Sequence, residues 1–228
     1  CVVGRKLESV AIGRLERFVG DNARPHKADA PKFERCLGKV AVVGSGPSGL
    51  AVAADLARYG CDVTVYEALH VVGGVLQYGI PSFRLPREII SREIDTLKAM
   101  GVKFETNKVI GKTFSVLQLM GAMGFDAVFV GVGAGAPAFL GIPGEFAGHK
   151  FPYQDTPVTL GKSVVVIGAG NTAMDCLRVA KRLGIPTVRC VYRRSEAEAP
   201  ARIEELRHAK EEGSEVFFLH GPVETLPS

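Results

Sequence analysis

The stretch Lys39–Glu67 reads KVAVVGSGPSGLAVAADLARYGCDVTVYE, and its pattern predicts the fold of the chain around it. A β-branched run ends at a turn with three glycines, a segment with apolar residues at helical spacing follows, and a second apolar run ends in a carboxylate. This order of strand, turn, helix, strand and acid is the fingerprint of dinucleotide-binding folds. A GxGxxG pattern alone would be weak evidence, and the alternative is a glycine turn inside an ordinary α/β domain. Because both strands, the helix and the acid occur in the order and at the spacing of the fingerprint, the stretch predicts a nucleotide site.

Four residues of this stretch have distinct expected roles. Gly44 permits the tight turn, Gly46 lets the backbone approach a pyrophosphate, and Gly49 lets the helix lie close to the strand. The helix N-terminus presents free N–H groups and about half a positive charge to the phosphates. Glu67, at the end of the second strand, is placed to accept hydrogen bonds from a ribose diol. The first site is therefore expected to bind a dinucleotide without a 2′-phosphate.

Composition favours a globular protein and argues against several other classes. The 228 residues include 28 Lys and Arg against 24 Asp and Glu, so the formal net charge is only +4. This balance, with no block of basic residues, predicts no nucleic-acid partner, and no apolar run reaches the roughly 18 residues of a membrane helix. The cysteines stand without CxxC or metal-ligand spacing at Cys1, Cys36, Cys61, Cys176 and Cys190. The last four are interpreted as reduced thiols of a cytoplasmic protein, and no metal site is expected.

The second half of the chain repeats the opening pattern. A predicted strand over 162–167 leads into Gly168-Ala169-Gly170-Asn171-Thr172-Ala173, with alanine at the third glycine position, a known variant of the fingerprint. A helix over 174–183 and a strand over 187–192 are expected to follow. That strand ends in Arg193-Arg194 rather than in an acid, and a guanidinium pair can bind a 2′-phosphate bidentately. The second site is therefore predicted to select NADP; the alternative is that the two arginines form a solvated strand end.

The remaining segments are expected to complete a doubly wound sheet with the order β-α-β-loop-α-β-(α)-β. The Gly- and Pro-rich stretch 71–86 predicts an irregular loop against something flat or bulky, or else a packed surface loop. In the first part of the chain, apolar spacing predicts a partial helical stripe of Val10, Ile12, Leu15 and Phe18, and a helix over 86–100 that buries Ile89, Ile90, Ile94, Leu97 and Met100. The other predicted elements are a strand over 102–106, a helix over 115–123, a strand over 126–133, a connector over 141–160, a helix over 201–212 that buries Ile203, Leu206 and Ala209, and a strand over 216–219.

Several of these motifs together resemble one enzyme family. The run Gly73–Pro86 resembles the flavin-contacting loop of glutamate synthase small (β) subunits. The same module occurs in the related NADPH-ferredoxin oxidoreductase and sulfide dehydrogenase subunits and in dihydropyrimidine dehydrogenase. Gly168–Asp175 and Val191–Arg194 look like that family's NADPH motif, while Cys1–Gly4 and Val10–Phe18 resemble the end of its cysteine-rich iron–sulfur domain and the helix after it. The resemblance covers essentially the whole chain.

The resemblance implies an α/β fold of two Rossmann-like, three-layer domains in a glutathione-reductase-like arrangement, after a short N-terminal helical segment. The implied domains are 1–38 (the end of an iron–sulfur domain and a linker helix), 39–157 (an incomplete FAD-binding domain and a connector) and 158–228 (an incomplete NADPH-binding domain). The residues implied to bind FAD are Gly44, Gly46, Pro47, Ser48, Gly49, Glu67, Gly73, Gly74, Leu76, Arg84 and Val109. The residues implied to bind NADPH are Gly168, Gly170, Asn171, Thr172, Ala173, Arg193, Arg194 and Arg202.

The function implied by the resemblance is that of an electron-input subunit, which passes hydride from NADPH to FAD without a catalytic side chain. Electrons would then pass through iron–sulfur centres to a large glutamate synthase subunit, which forms glutamate from glutamine and 2-oxoglutarate. One alternative is a ferredoxin-NADP, sulfide or pyrimidine oxidoreductase subunit, with another iron–sulfur oxidoreductase subunit as partner, and a second is a non-catalytic dinucleotide-sensing fragment. The absence of CxxC argues against a disulfide reductase of the thioredoxin reductase type.

The cysteines and the first residue bear on how much of such a protein this sequence represents. Only Cys1 resembles one of the family's cluster ligands, and one thiolate cannot hold a four-iron cluster, so iron–sulfur clusters are expected only in a missing N-terminal domain. The sequence opens without Met, and we expect it to be a fragment or part of a longer polypeptide.

Overall fold

The computed structural model describes residues 2–7, 9–22, 37–135, 139–143 and 161–225. Its strands form two parallel sheets, one within residues 37–135, here called the first lobe, and one within 161–225, the second lobe. Helix α1 (Ile12–Asn22) precedes both lobes. The elements of the first lobe are β1 (Lys39–Val43), α2 (Pro47–Arg58), β2 (Asp62–Tyr66), α3 (Val75–Tyr78), α4 (Arg87–Ala99), β3 (Lys103–Glu105), α5 (Val116–Met120) and β4 (Ala127–Val130). Those of the second lobe are β5 (Ser163–Ile167), α6 (Asn171–Arg182), β6 (Thr187–Tyr192), α7 (Ile203–Glu211) and β7 (Glu215–Phe218).

The sheet of the first lobe has the strand order β3-β2-β1-β4, and every pair is parallel. The sheet is doubly wound, as the sequence predicts, and the structure adds the spatial order of its strands. Helices cover both faces, so β1 and β2 are buried on both. On one face Val42 and Val65 pack against α2 and α4, and α2 approaches closely because it presents Ala53 there. On the other face the ring of Tyr66 lies edge-on to that of Phe125, with 6.1 Å between centroids.

The sheet of the second lobe has the order β5-β6-β7, again with every pair parallel. Helices α6 and α7 pack on one face through Met174, Leu177 and Leu206, all buried around Cys190 of β6. Each glycine turn therefore lies at the carboxyl end of the first strand of its own parallel sheet, where ligands bind in folds of this kind.

Most predicted elements are confirmed, and the differences have simple causes. The stretch 71–86 contains the one-turn helix α3, which is too short to show helical periodicity in the sequence. Helix α6 begins at Asn171 rather than Met174 because the end of the glycine turn is already its first turn. Ile203, predicted to be buried, is 67% exposed, since it is the first residue of α7 and precedes the turn that packs.

Other predictions hold in part. In α4, Ile90, Ile94 and Leu97 are buried, whereas Ile89 and Met100, the residue that follows the helix, are half-buried. The apolar stripe near the N-terminus is helical from Ile12, but its side chains are exposed. Most of the predicted connector, residues 144–160, lies outside the described residues, so the proposed domain limits stay predictions. Of the helices within the described ranges, none combines the length and apolar character required to cross a membrane.

Candidate functional site

The first glycine turn joins β1 to α2 with very little space to spare. Gly44 has φ of +97°, a left-handed conformation that favours glycine, and a Cβ there would lie 2.4 Å from the carbonyl oxygen of Gly131. A Cβ on Gly49 would lie 1.9 Å from the carbonyl oxygen of Gly44. In contrast, a Cβ on Gly46 would meet no atom within 4 Å. The turn is therefore packed against protein at Gly44 and Gly49 and open at Gly46, where a pyrophosphate is expected.

The N-terminus of α2 faces this open space. Gly46 is the N-cap residue and has no side chain with which to cap the helix, and Pro47 occupies the first helical position. Ser48 is exposed beside it, and the first turn contains no acidic residue. The exposed N-terminal end of a helix attracts anions because its N–H groups lack partners and carry partial positive charge.

Glu67, at the carboxyl end of β2, is buried and already oriented by hydrogen bonds. Its Oε2 accepts the backbone N–H of Ser45 at 3.0 Å and the Ser45 hydroxyl, and its Oε1 accepts the N–H of Leu69 at 2.9 Å. An ionised carboxylate has about four acceptor sites, so these three bonds leave capacity for a further donor. The carboxylate is thus fixed in position beside the glycine turn and can still accept a ribose hydroxyl.

Ser45 is a site residue that the sequence analysis missed. It is fully buried, and its Oγ also accepts the backbone N–H of Gly73 at 2.9 Å. One hydroxyl therefore ties the glycine turn, Glu67 and the loop after β2 together. The only sequence signal was its position between Gly44 and Gly46, which does not predict a partner 28 residues away.

The loop that resembles a flavin-contacting segment lies against the first turn. A Cβ on Gly74, whose φ is +53°, would lie 2.9 Å from the Cα of Gly46. Leu76 is half-buried beside Ile90, and its carbonyl oxygen accepts a hydrogen bond from Arg87. Gly73, Gly74 and Leu76 are thereby brought to the same end of the sheet as Glu67.

Val109 lies at this end of the sheet as well. The preceding residue, Lys108, donates its N–H to the carbonyl oxygen of Glu67 at 2.9 Å. The N–H of Val109 donates to Thr113 Oγ1, and its side chain is exposed.

Arg84 is placed differently from the other residues predicted to bind FAD. Its guanidinium donates to Asp175 on α6 and to both carboxylate oxygens of Glu205 on α7, so it contacts the second lobe. The hydrogen bonds to Glu205 raise the pKa of Arg84 above its ordinary value. Partial burial opposes this rise, and the hydrogen bond and charge of Asp175 add to it. The hydrogen bond from Arg84, against the effect of burial, lowers the pKa of Glu205.

The second glycine turn has an open cradle like the first. Gly168 has φ of +111°, Gly170 is the N-cap residue of α6, and a Cβ at either position would meet nothing within 4 Å. Ala173, in place of a third glycine, is buried, whereas Thr172 is exposed. The N–H of Arg202, the N-cap residue of α7, donates to Asn171 Oδ1 at 3.0 Å. Two helix N-termini therefore meet beside the second turn.

The arginines predicted to bind a 2′-phosphate are available at this site. Arg193 and Arg194 directly follow β6, and both are exposed, as is Arg202. Within residues 161–225, none of the three guanidiniums forms an ion pair by direct contact with a carboxylate. Hydrogen bonds from Ser195 lower the pKa of Glu198, and the nearby charge of Arg194 contributes. The structure thus brings the second turn together with Arg202, the N-cap residue of α7, and within residues 161–225 the three guanidiniums have no carboxylate in direct contact.

Comparison with known proteins gives consistent results. Residues 38–222 match the family described as pyridine nucleotide-disulphide oxidoreductase. The NADP(+)-dependent formate dehydrogenase subunit beta of Moorella thermoacetica is 44% identical over 81% of this chain and 27% of its own length. The glutamate synthase [NADPH] small chain of Escherichia coli is 34% identical over 98% of this chain and 51% of its own length.

Among solved structures, FprA from Mycobacterium tuberculosis in complex with NADPH superposes with a TM-score of 0.68 and 22% identity, over 85% of this chain and 62% of that one. At that identity the likeness concerns the fold, and it includes both lobes. The chain spans about a quarter to a half of the length of the two curated relatives named above. The family match extends over most of the chain, from just before β1 to just past β7. This chain belongs to the pyridine nucleotide-disulphide oxidoreductase family.

Proposed function

We propose that this chain is the nucleotide-binding part of an electron-input oxidoreductase subunit, in which NADPH in the second lobe reduces FAD in the first. The observation that carries the proposal is the opposite charge at two equivalent positions. Strand β2 is followed by the buried carboxylate of Glu67, whereas β6 is followed by the exposed pair Arg193-Arg194. A carboxylate binds a free ribose diol, and guanidiniums favour a ribose with a 2′-phosphate. The two sites are therefore suited to different dinucleotides.

The residues of the first lobe fit FAD. The open side of Gly46 at the N-terminus of α2 has room for a pyrophosphate, flanked by Pro47 and Ser48. Glu67 would accept the ribose hydroxyl, and the loop with Gly74 would border the flavin ring. Bound FAD supplies the redox chemistry, and the chain holds and orients it and excludes water. No side chain of this lobe is assigned an acid or base role.

The residues of the second lobe fit NADPH. The pyrophosphate would lie at the N-terminus of α6 over Gly168 and Gly170, where additional side-chain atoms are absent. Arg193, Arg194 and Arg202 would surround the 2′-phosphate. Hydride transfer would require the protein to hold the two bound nucleotides in close and fixed proximity, so the orientation of one lobe relative to the other would affect the rate.

For the partner, we favour a large glutamate synthase subunit reached through iron–sulfur centres. The glutamate synthase small chain matches along 98% of this chain, including the segment before β1. A second candidate is another iron–sulfur oxidoreductase subunit, such as a formate dehydrogenase, because that relative has the higher identity, 44%. Glutamine-dependent NADPH oxidation with each candidate partner separates them: glutamate formation supports the first, and NADPH-dependent turnover only with the other partner supports the second.

Coenzyme choice tests the NADPH site directly. We expect the flavin-loaded protein to be reduced by NADPH in preference to NADH. One charge-assisted contact contributes about 1.5–3 kcal/mol, which corresponds to about a ten- to hundredfold preference. The lower end is expected here because the arginines are exposed. Replacing them by Arg193→Ala with Arg194→Ala should raise the KM for NADPH far more than that for NADH, measured as flavin reduction.

The control for this experiment is Arg207→Ala, which removes an exposed arginine of α7 that is not among the residues predicted to bind NADPH. It should leave the coenzyme preference unchanged. Equal efficiency of NADH and NADPH in the unaltered protein, or an equal loss for both in the double variant, would contradict the assignment. Binding of NADPH without any bleaching of the flavin would instead indicate a dinucleotide sensor.

A further inference from the structure

Helices α6 and α7 present a partly buried group of charges on the side that faces the first lobe. The group, here called the charge cluster, consists of Asp175, Arg178, Arg182, Glu205 and Glu212. Arg178 donates to Glu205 at 2.9 Å and to Glu212 at 3.0 Å, and Arg182 donates to Glu212 at 2.9 Å. Burial would raise the pKa of Glu212, but hydrogen bonds and charge from Arg178 and Arg182 together lower it.

The charge cluster is not neutral on its own. Three carboxylates (−3) and two guanidiniums (+2) leave one negative charge in excess. Arg84 of the first lobe supplies the missing positive charge, with contacts to Asp175 and to both oxygens of Glu205. Its side chain is 28% exposed and that of Glu205 16%, so solvent screens this contact less than an ordinary surface ion pair.

The neighbouring residue of the same loop binds the same helices. The ring of Phe83 lies 4.7 Å from the guanidinium carbon of Arg178 and 4.3 Å from that of Arg182, measured to the ring centroid. Both distances are within the range of cation–π attraction. Two consecutive side chains therefore engage one surface, one by charge and the other by its aromatic face, which fixes orientation better than a single contact would.

The contact connects the two nucleotide sites at short range. Asp175 lies in the second turn of α6, which begins at the second glycine turn, and Glu205 lies in the first turn of α7, which directly follows the N-cap residue Arg202. On the other side, Phe83 and Arg84 belong to the loop whose Gly74 rests on Gly46 of the first turn. Helix α1 adds a further contact, because Arg17 donates to the carbonyl oxygen of Arg84 at 2.7 Å.

We propose that Phe83 and Arg84, together with the charge cluster, form an interlobe clasp that fixes the second lobe relative to the first and so positions the two nucleotides for hydride transfer. Asp175, Glu205 and Phe83 are positioning residues in this proposal, because they would affect hydride transfer only by fixing the orientation of the second lobe relative to the first. The catalytic consequence rests on the proposed function, whereas the fixed orientation of the lobes does not. The clasp also accounts for the position of Arg84, which lies on the loop resembling a flavin contact but reaches across to α6 and α7.

The test uses Asp175→Asn combined with Glu205→Gln, which keeps the shape of both side chains and removes both charges that hold Arg84. We expect small-angle X-ray scattering to report a wider distribution of interlobe distances, and amide hydrogen exchange in the loop over 81–86 to rise at least tenfold. In the flavin-loaded protein, the hydride-transfer rate at saturating NADPH should fall at least tenfold, while FAD retention and the KM for NADPH change less than threefold. A defect in folding alone would not lower the hydride-transfer rate while leaving the KM for NADPH and FAD retention nearly unchanged.

The matched control is Glu196→Gln with Glu215→Gln, which removes two carboxylates of the same lobe from exposed ion pairs with Lys210 and Arg189. It should change none of these measurements. If the double variant does not fold, Phe83→Leu replaces it, with the same expected direction and at least a threefold effect on exchange and rate. Unchanged scattering and exchange in a folded clasp variant would overturn the proposal. Failure of NADPH to reduce the flavin in the unaltered protein would instead contradict the proposed function, and the cofactor-free measurements would still decide the clasp.

Discussion

At the scale of single residues, the hydroxyl of Ser45 is the structural link between the first glycine turn and the loop that follows β2. It donates to Glu67 and accepts from Gly73, and none of its surface is exposed. Removing a buried hydroxyl that has both partners in place costs more stability than the two hydrogen bonds contribute, because the groups that it paired with are left buried and unpaired.

We predict that Ser45→Ala weakens both the fold and FAD retention. The N–H of Gly73 would lose its acceptor, and Glu67 would keep only the backbone N–H of Ser45 on its Oε2. The expected loss in the free energy of unfolding is about 1–3 kcal/mol. FAD should dissociate faster, since the carboxylate proposed to accept the ribose would be oriented by two hydrogen bonds, from the N–H groups of Ser45 and Leu69, instead of three. Chemical denaturation and flavin release measure the two effects.

The control is Ser91→Ala, which removes an exposed hydroxyl on α4 and should change neither quantity. Equal stability and equal flavin release in Ser45→Ala and the unaltered protein would refute the bridging role.

The sequence predicts Glu67 because an acid at a strand end has a fixed place in this fold. It cannot predict Ser45, because the role depends on how a loop distant in the chain packs onto the turn.

At the scale of elements, the close contact of α2 with β1 separates two functions of the glycine turn. Gly49 faces the backbone of Gly44, and Gly46 faces open space. The sequence assigns both glycines by pattern, and the structure shows that one is needed for packing and the other leaves room for a ligand.

We predict opposite outcomes for alanine at these two positions. Gly49→Ala would place a Cβ 1.9 Å from the carbonyl oxygen of Gly44, so α2 must move and stability should fall by about 1–3 kcal/mol or more. Gly46→Ala meets no protein atom, and its unfolding free energy should change by less than about 1 kcal/mol. It should nevertheless lose FAD, because the new methyl group would occupy the space proposed for the pyrophosphate. Thermal unfolding and flavin titration distinguish the two variants; retention of FAD by Gly46→Ala would contradict the assignment of the cradle.

Elements with strong periodicity were predicted well because the apolar residues that recur at helical or strand spacing are the ones that the core buries. Strand β6 has the predicted bounds, and α4 buries Ile90, Ile94 and Leu97. The short helix α3 could not be predicted, since four residues do not complete a period that distinguishes helix from loop. Ile203 was misassigned because spacing indicates which residues share a face, whereas burial also needs a neighbour at that point of the helix.

At the scale of the whole molecule, the sequence predicts two nucleotide folds but not how they meet. Arg84 is 91 residues from Asp175 and 121 from Glu205 along the chain, and no periodic pattern relates them. The resemblance directs Arg84 toward flavin, and the structure adds a contact with the second lobe. Contacts of this kind depend on the packed arrangement of complete domains, which local sequence patterns do not describe.

The interlobe contact should have a definite dependence on pH. Glu205 faces Arg84 of the loop and Arg178 of α6; Asp175 shares Arg84, and Glu212 shares Arg178. The hydrogen bond from Arg84 lowers the pKa of Glu205 below its ordinary value of 4.5, against burial. A carboxylate with a lowered pKa in the folded state stabilises the protein above its unfolded pKa, and this contribution is lost as the pH falls through the folded value.

We therefore predict that the difference in unfolding free energy between the unaltered protein and Glu205→Gln is constant from about pH 6 to pH 8, at about 1–3 kcal/mol. It should shrink below about pH 4.5 and approach zero once Glu205 is protonated in the folded protein, because both proteins then lack this charge. Glu211→Gln, an exposed carboxylate on the same helix, should differ from the unaltered protein by less than about 0.5 kcal/mol at neutral pH. Urea denaturation at a series of pH values measures both differences. A difference for Glu205→Gln that is absent at pH 7, or that grows as the solution is acidified, would show that Glu205 does not stabilise the molecule as an ionised partner of Arg84.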